Sequence, residues 1–277
     1  MKIGLSTASD IEFLKPEVLA SVKEAGIEVI EMSYNPVEKM TNIGIVNFAK
    51  IVKEAGLELW SVHIPFTRID LASPIEEERK RDVEIVKGFI DDIAEAGVGR
   101  AVIHPGFEVK YDSPREVRID ACRRSFYEVT EYGLRKGVTV CIEDLPRDCI
   151  GNTIAEMKEI VSCHPDLKIV FDTNHLLQDD PIEFIKVFGD RIVTLHVSDY
   201  EFTDERHWMP GEGKNDWNGI INVLREAGYK GPWLYELGRV AQRGIIRERD
   251  LTFRDFYENA EALLNGRAPK VLGRYNG

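Results

Sequence analysis

A phrase of two residues and a glycine recurs along the chain: Glu24-Ala25-Gly26, Glu54-Ala55-Gly56, Glu95-Ala96-Gly97, Arg135-Lys136-Gly137 and Glu226-Ala227-Gly228. Before each of the first four, apolar and polar positions alternate with a helical period. After each comes a short apolar run: IEVIEMS, LELWSVH, VGRAVIH and VTVCIE. A glycine just past a helix supplies the left-handed conformation that closes the last turn. A run of about 5 to 7 residues rich in Val, Ile and Leu then reads as a strand buried on both faces of a parallel sheet.

The glycines at 26, 56, 97 and 137 are 30, 41 and 40 residues apart, and 91 residues separate Gly137 from Gly228. Two more strands fall in that gap, LKIVFD (167–172) and RIVTLHV (191–197), while KIGLS precedes the first unit and PWLYEL (232–237) follows the last. Eight strands alternating with helices predict an α/β protein: a single-domain (β/α)8 TIM barrel over 1–277, with 266–277 as a C-terminal tail. The tail has too few apolar residues for another helix, so it is expected to wrap the barrel or meet a subunit. An open doubly wound sheet is the rival, but no glycine-rich phosphate loop follows the first strand.

Composition narrows the function more than the fold. With 36 Lys and Arg against 48 Asp and Glu, the formal charge is −12, which argues against affinity drawn from a nucleic-acid backbone. No apolar run approaches the roughly 20 residues that cross a bilayer. MKIGLSTASD lacks the apolar stretch of a signal peptide, and the four cysteines contain no C-x-x-C pair. A reduced, cytoplasmic enzyme is therefore expected.

Catalytic side chains in such barrels sit at the carboxyl ends of strands. Those positions hold Ser6, Glu31, His63, His104, Glu143, Asp172, His196 and Glu236. Alternation along each strand turns Glu143 and Cys141, His196 and Thr194, and Glu236 and Leu234 inward. It leaves Val140, Ile142, Val193, Leu195, Trp233 and Tyr235 facing the helices. Five of six histidines lie at or just beyond a strand end, His164 being the exception. Such convergence leaves polar groups unsatisfied unless a cation joins them. Glu143, Asp172, His196 and Glu236 would offer three carboxylates and one imidazole, which suits one Mn, Mg, Co or Fe ion and also allows Zn. Around them, Arg206 is a candidate for an anionic substrate group and Trp208 for a pocket wall. Trp60 and Trp233 fall on the helix-facing parity. Glu31 either touches substrate or caps a loop.

The strings FDTNH (171–175), HVSD (196–199), HWMPGEG (207–213), DW (216–217) and GPWLYELG (231–238) resemble the xylose isomerase-like barrel superfamily. Within it, the chain is most similar to the sugar phosphate isomerase/epimerase branch, from the first strand to about residue 265. The resemblance implies that Glu143, Asp172, His196 and Glu236 hold one divalent ion. It further implies that Glu143 and Glu236 move a proton next to a carbonyl through a metal-bound enediolate. His175 would contact a sugar or polyol, with His63, His104, Arg206, His207 and Trp208 completing the substrate-binding set. One departure is the fifth strand, IEDLP, where Asp144 and Arg147 alter the pocket. Relatives also suggest a homo-oligomer, while the acidic charge and the lack of a long apolar run predict no nucleic-acid or membrane partner.

Three alternatives accompany that reading. Inosose dehydratases begin with the same proton abstraction and then lose a β-hydroxyl. Endonuclease IV, a three-zinc nuclease, has ligands matching His63, His104, His175 and His207, but Glu205 replaces its Asp. A non-catalytic sugar-binding barrel would be expected to lose proton-transfer groups, yet both Glu143 and Glu236 are present.

Overall fold

A computed structural model describes residues 1–9, 15–34, 43–106, 108 and 111–276. Eight strands follow the expected runs: β1 (Ile3–Ser6), β2 (Val29–Ser33), β3 (Glu58–His63), β4 (Arg100–Ile103), β5 (Thr139–Glu143), β6 (Lys168–Asp172), β7 (Ile192–His196) and β8 (Trp233–Tyr235). Between and after them lie α1 (Pro16–Glu24), α2 (Gly44–Glu54), α3 (Glu76–Glu95), α4 (Arg115–Lys136), α5 (Ile154–Val161), α6 (Pro181–Phe188), α7 (Trp217–Glu226) and α8 (Phe253–Leu264). The five glycines of the repeated phrase all have positive φ, between 70° and 98°. At Gly137 (φ 73°) that conformation lets Val138 N–H bond the Gly133 carbonyl at 2.9 Å, ending α4 directly before β5.

The strands pair in parallel in the order β7-β6-β5-β4-β3-β2-β1-β8. The ring closes just past the ends of β7 and β8, where Val197 N–H meets the Leu234 carbonyl at 2.8 Å and Glu236 N–H meets the Val197 carbonyl at 3.2 Å. This is a nearly closed (β/α)8 barrel, as the alternating pattern predicts. Each helix packs one stripe onto it. In α7 the buried residues are Trp217, Ile220, Ile221 and Leu224, the i, i+3, i+4, i+7 set of an amphipathic helix. Each contributes roughly 1.5–3 kcal/mol of burial.

The principal core lies between strands and helices and includes Ile30, Val62, Ile142, Phe171, Leu195, Trp233 and Tyr235. Inside the barrel a separate small cluster joins Val102, Cys141 and Val170, with Val193 packed against it. Two positions depart from simple alternation. The β6–β7 register slips from Ile169↔Ile192 to Val170↔Thr194, and the extra residue, Val193, joins the interior cluster instead of facing the helices. The β2–β3 register slips from Ile30↔Leu59 to Glu31↔Ser61. Trp60 is therefore the extra residue there; it is half-buried, outside the main core, with the Arg100 guanidinium 3.5 Å from its ring centroid. An extra residue reverses side-chain parity along a strand. Trp233 is fully buried as expected.

Beyond β8 the chain adds an antiparallel pair, β9 (Ile245–Arg247) and β10 (Gly273–Tyr275). The expected tail thus returns as a strand. The cysteines Cys122, Cys141, Cys149 and Cys163 are free thiols. No helix among the described residues is long and apolar enough to cross a membrane.

Candidate metal centre at the barrel mouth

Four consecutive strands bring Glu143, Asp172, His196 and Glu236 together, and one ligand atom from each lies within 4.8 Å of the others. All four are buried. Inward parity at the last residues of β5, β6 and β7, and just past β8, aims them at the axis. His196 Nδ1 is 2.9 Å from Glu143 Oε1, 3.1 Å from Glu236 Oε2 and 4.0 Å from Asp172 Oδ2. Its other nitrogen, Nε2, meets Glu31 Oε1 at 2.9 Å, and the Ser61 hydroxyl donates to the second oxygen of Glu31 at 2.7 Å. Glu31 therefore orients the histidine from across the barrel, as an outer carboxylate does for a ligating imidazole. The sequence places Glu31 at the mouth but does not reveal this role, and Ser61 passes unnoticed.

Two further groups flank this one. His63 Nε2, His104 Nε2 and Glu143 Oε2 form a triangle with sides of 3.1, 3.1 and 3.2 Å. On the opposite side, Glu205 Oε1 lies 2.7 Å from His207 Nε2 and 3.7 Å from His175 Nε2. The Nδ1 atoms of His63, His175 and His207 meet the backbone carbonyls of Ile64, Asp144 and Glu236 at 2.8–2.9 Å. Those bonds place hydrogen on Nδ1 and leave Nε2 directed at the cluster.

The electrostatics favour added positive charge. Burial raises Glu143, but the imidazoles of His196 and His104 outweigh it and hold the carboxyl well below its usual range. Glu236 has the same balance: burial raises it, His196 dominates, and the result is about 2. Burial together with the neighbouring carboxylates lifts Asp172 to about 7 despite His175. Burial lowers the imidazoles, yet carboxylates raise His196 well above its ordinary value and bring His63 and His207 to about 9. His104 is lowered, chiefly by burial. Among the described residues, Asp172 Oδ2 is buried without a hydrogen bond, and Glu143 Oε2 faces only the imidazole nitrogens of His63 and His104. A set of hard oxygens with one imidazole, in which Asp172 Oδ2 lacks a donor, fits a divalent cation.

The structure does not bring every expected substrate residue to this centre. Trp208, expected as a pocket wall, is 1% exposed. Its indole N–H donates to the Arg243 carbonyl at 2.9 Å and its ring packs on Tyr275. The Arg206 guanidinium is held by Glu201, with Nε–O distances of 2.8 and 3.0 Å. Arg147 Nε bonds Asp204 at 2.9 Å and its terminal nitrogen lies 3.0 Å from Glu205 Oε2. Asp144 accepts the Asp172 N–H at 2.9 Å. Part of the recognised motif is structural: Asp199 accepts from Trp217 Nε1 (2.9 Å), Gly211 N (2.8 Å) and Asn215 N (3.1 Å). A Cβ at Gly213 would lie 2.3 Å from Asp199 Oδ1, so only glycine fits there.

Fold and mouth together define a (β/α)8 barrel with a carboxylate–imidazole centre able to take a metal. The chain belongs to the xylose isomerase-like TIM barrel family, whose profile matches residues 19–253. Uncharacterized protein MJ1614 of Methanocaldococcus jannaschii is 25% identical over 82% of this chain and 88% of its own. A D-psicose 3-epimerase of Ruminiclostridium cellulolyticum is 24% identical over 92% of this chain and 88% of its own. The crystal structure of a D-tagatose 3-epimerase-like protein superposes with a TM-score of 0.79 at 22% identity, covering 96% of this chain and 97% of that one.

Proposed function

We propose that this protein is a divalent-metal-dependent isomerase or epimerase of a sugar or sugar phosphate. The observation that carries the reading is the buried convergence of Glu143, Asp172, His196 and Glu236, in which Asp172 Oδ2 has no donor. Mn, Mg or Co suits that set, and Zn is also compatible. When bound, such an ion polarises neighbouring substrate oxygens and makes the adjacent C–H more acidic. The protein's own groups then move the proton. Glu143 and Glu236 come from the two outer strands of the four, β5 and β8, and flank His196, so one can remove a proton from one face of a carbon and the other return it to the opposite face. Both are held ionised by their imidazole neighbours, the form a base needs. His63, His104, His175 and His207 supply hydrogen bonds to substrate hydroxyls, whereas the guanidinium of Arg206, the candidate for an anionic end, is already engaged by Glu201. Similarity to 3-epimerases of ketoses, including a fructoselysine 3-epimerase of Shigella flexneri, supports a small sugar as substrate.

Product analysis separates this reading from an inosose-type dehydratase. With Mn²⁺ and a panel of ketoses, the expected product is an epimer or isomer of unchanged mass. An unsaturated product lighter by one water would assign the lyase instead. The two flanking groups, His63–His104–Glu143 and His175–Glu205–His207, favour a second reading with several ions and phosphodiester hydrolysis, as in endonuclease IV. Cleavage of an abasic-site duplex with about three zinc ions per chain would select it.

A further inference from the structure

We propose that the cleft between the β9–β10 pair and the Glu205–His207 loop is an anion subsite for a phosphate- or carboxylate-bearing small molecule. The chain carries −12 overall, yet segments 239–249 and 266–276 contain seven Lys or Arg against one acid, Glu248. These segments build the β9–β10 pair and its approaches. One of their arginines is internal. Arg247 forms a buried, two-point ion pair with Glu212, Nε–Oε1 2.9 Å and terminal N–Oε2 2.6 Å. Glu212 also accepts the Met209 N–H at 3.0 Å. A Cβ at Gly273 would fall 2.6 Å from Glu212, so glycine is what lets β10 approach so closely. The strand pair is thereby fixed to the loop that follows β7.

Between them lies a cleft of about 390 Å³ lined by Arg206, Arg243, Ile245, Tyr275 and Asn276, among others. That volume is within the range of small-ligand sites, about 300–1,000 Å³. Its chemistry is two-sided: guanidinium and amide groups on one part, Ile245 and the Tyr275 ring on the other, which suits a sugar ring carrying an anionic substituent. The two arginines are unequal. Arg206 is largely offset, bonded to Glu201 with Asp204 at 3.6 Å. Arg243 is exposed and makes no ion pair among the described residues, so it supplies the net positive charge. In an acidic protein an anion needs such a local cation, because the wider field is screened beyond about 8–10 Å. One wall of the cleft is tied to the mouth: Arg206 N–H bonds Asn174 Oδ1 at 2.8 Å, next to His175, and Arg206 lies between Glu205 and His207. If the mouth acts on a sugar, the cleft selects one bearing a phosphate or acid group; that part rests on the function proposed above, but the binding itself does not.

The test reads binding without turnover. Inorganic phosphate, then a ketose phosphate and the same ketose unphosphorylated, are titrated into the full chain by calorimetry, with the Trp208 indole resonance followed by NMR. The expected result is one saturable phosphate site per chain that shifts Trp208, with the ketose phosphate binding more tightly than the ketose. Arg243→Gln should weaken phosphate at least tenfold, and Arg243→Lys should recover part of it. Arg254→Gln on α8 and Glu236→Gln at the mouth should leave phosphate binding unchanged, so a failed catalytic reading would not erase the signal. Absence of saturable binding, or equal binding by Arg243→Gln, overturns the proposal. So does Arg243-dependent binding of an oligonucleotide without binding of phosphate, or self-association abolished by Tyr275→Ser.

Discussion

Two layers of the barrel interior lie two residues apart on the same strands and have opposite chemistry. Lower down, Val102, Cys141 and Val170 form a small dry cluster. One inward step up the same strands come His104, Glu143 and Asp172, in a cluster of imidazoles and carboxylates in which Asp172 Oδ2 has no donor. The lower layer closes the barrel with apolar side chains that need no partners. The upper layer concentrates buried ionisable groups, whose removal from water is costly unless each is compensated. The pairing teaches how a barrel accommodates a reactive mouth: the apolar layer and outer core supply stability, and the polar layer is free to be arranged for chemistry.

The sharpest way to break that division is to exchange the effects. Glu236→Gln and Glu143→Gln should lower turnover of the assigned sugar by about 10²–10⁴-fold while far-UV circular dichroism and cooperative melting persist. Collapse of the fold in both variants would make the upper layer structural and contradict the division. Val170→Ala should do the reverse, costing about 2 kcal/mol in denaturant unfolding through lost burial and a residual cavity, with turnover per folded molecule nearly unchanged.

A smaller effect tests the electrostatics. Burial alone would lower His207, but its bond to Glu205 and the nearby carboxylates raise it to about 9. In metal-free protein its NMR titration midpoint should lie near 9 and move toward 6.5 in Glu205→Gln. Because the folded value is raised, the associated stability is fully present below about pH 6.5 and is lost as pH rises through 9. A midpoint unaffected by Glu205→Gln would remove that ion pair from the account. The smallest effect lies far from the mouth. Thr252 and Asp255 form a capping box at the start of α8, so Thr252→Ala should cost about 1 kcal/mol and leave turnover alone. A change in turnover would tie α8 to the site.

Much of this was legible in the sequence because it depends on local regularities. Glycine closes each helix, short apolar runs form each strand, and inward parity delivers Glu143, Asp172 and His196 to the axis. Three features were not legible, each because it depends on an irregularity or a distant contact. Register slips at Trp60 and Val193 reverse parity, and nothing in LELWSVH or RIVTLHV marks the extra residue. Glu31 supports His196 from across the barrel, 165 positions away in sequence. Trp208 looks like a pocket wall until the Arg243 carbonyl and the Tyr275 ring, far along the chain, cover it.

The central claim is that the four buried residues of the upper layer take a divalent ion and exchange a carbon-bound proton. It is tested most directly by incubating the protein with Mn²⁺ and ketoses in deuterated water. Deuterium should appear at the carbon next to the carbonyl, at a rate abolished by chelation, restored by metal, and lost in Glu143→Gln and Glu236→Gln. No incorporation into any ketose, or incorporation indifferent to both metal and the two glutamates, would contradict it.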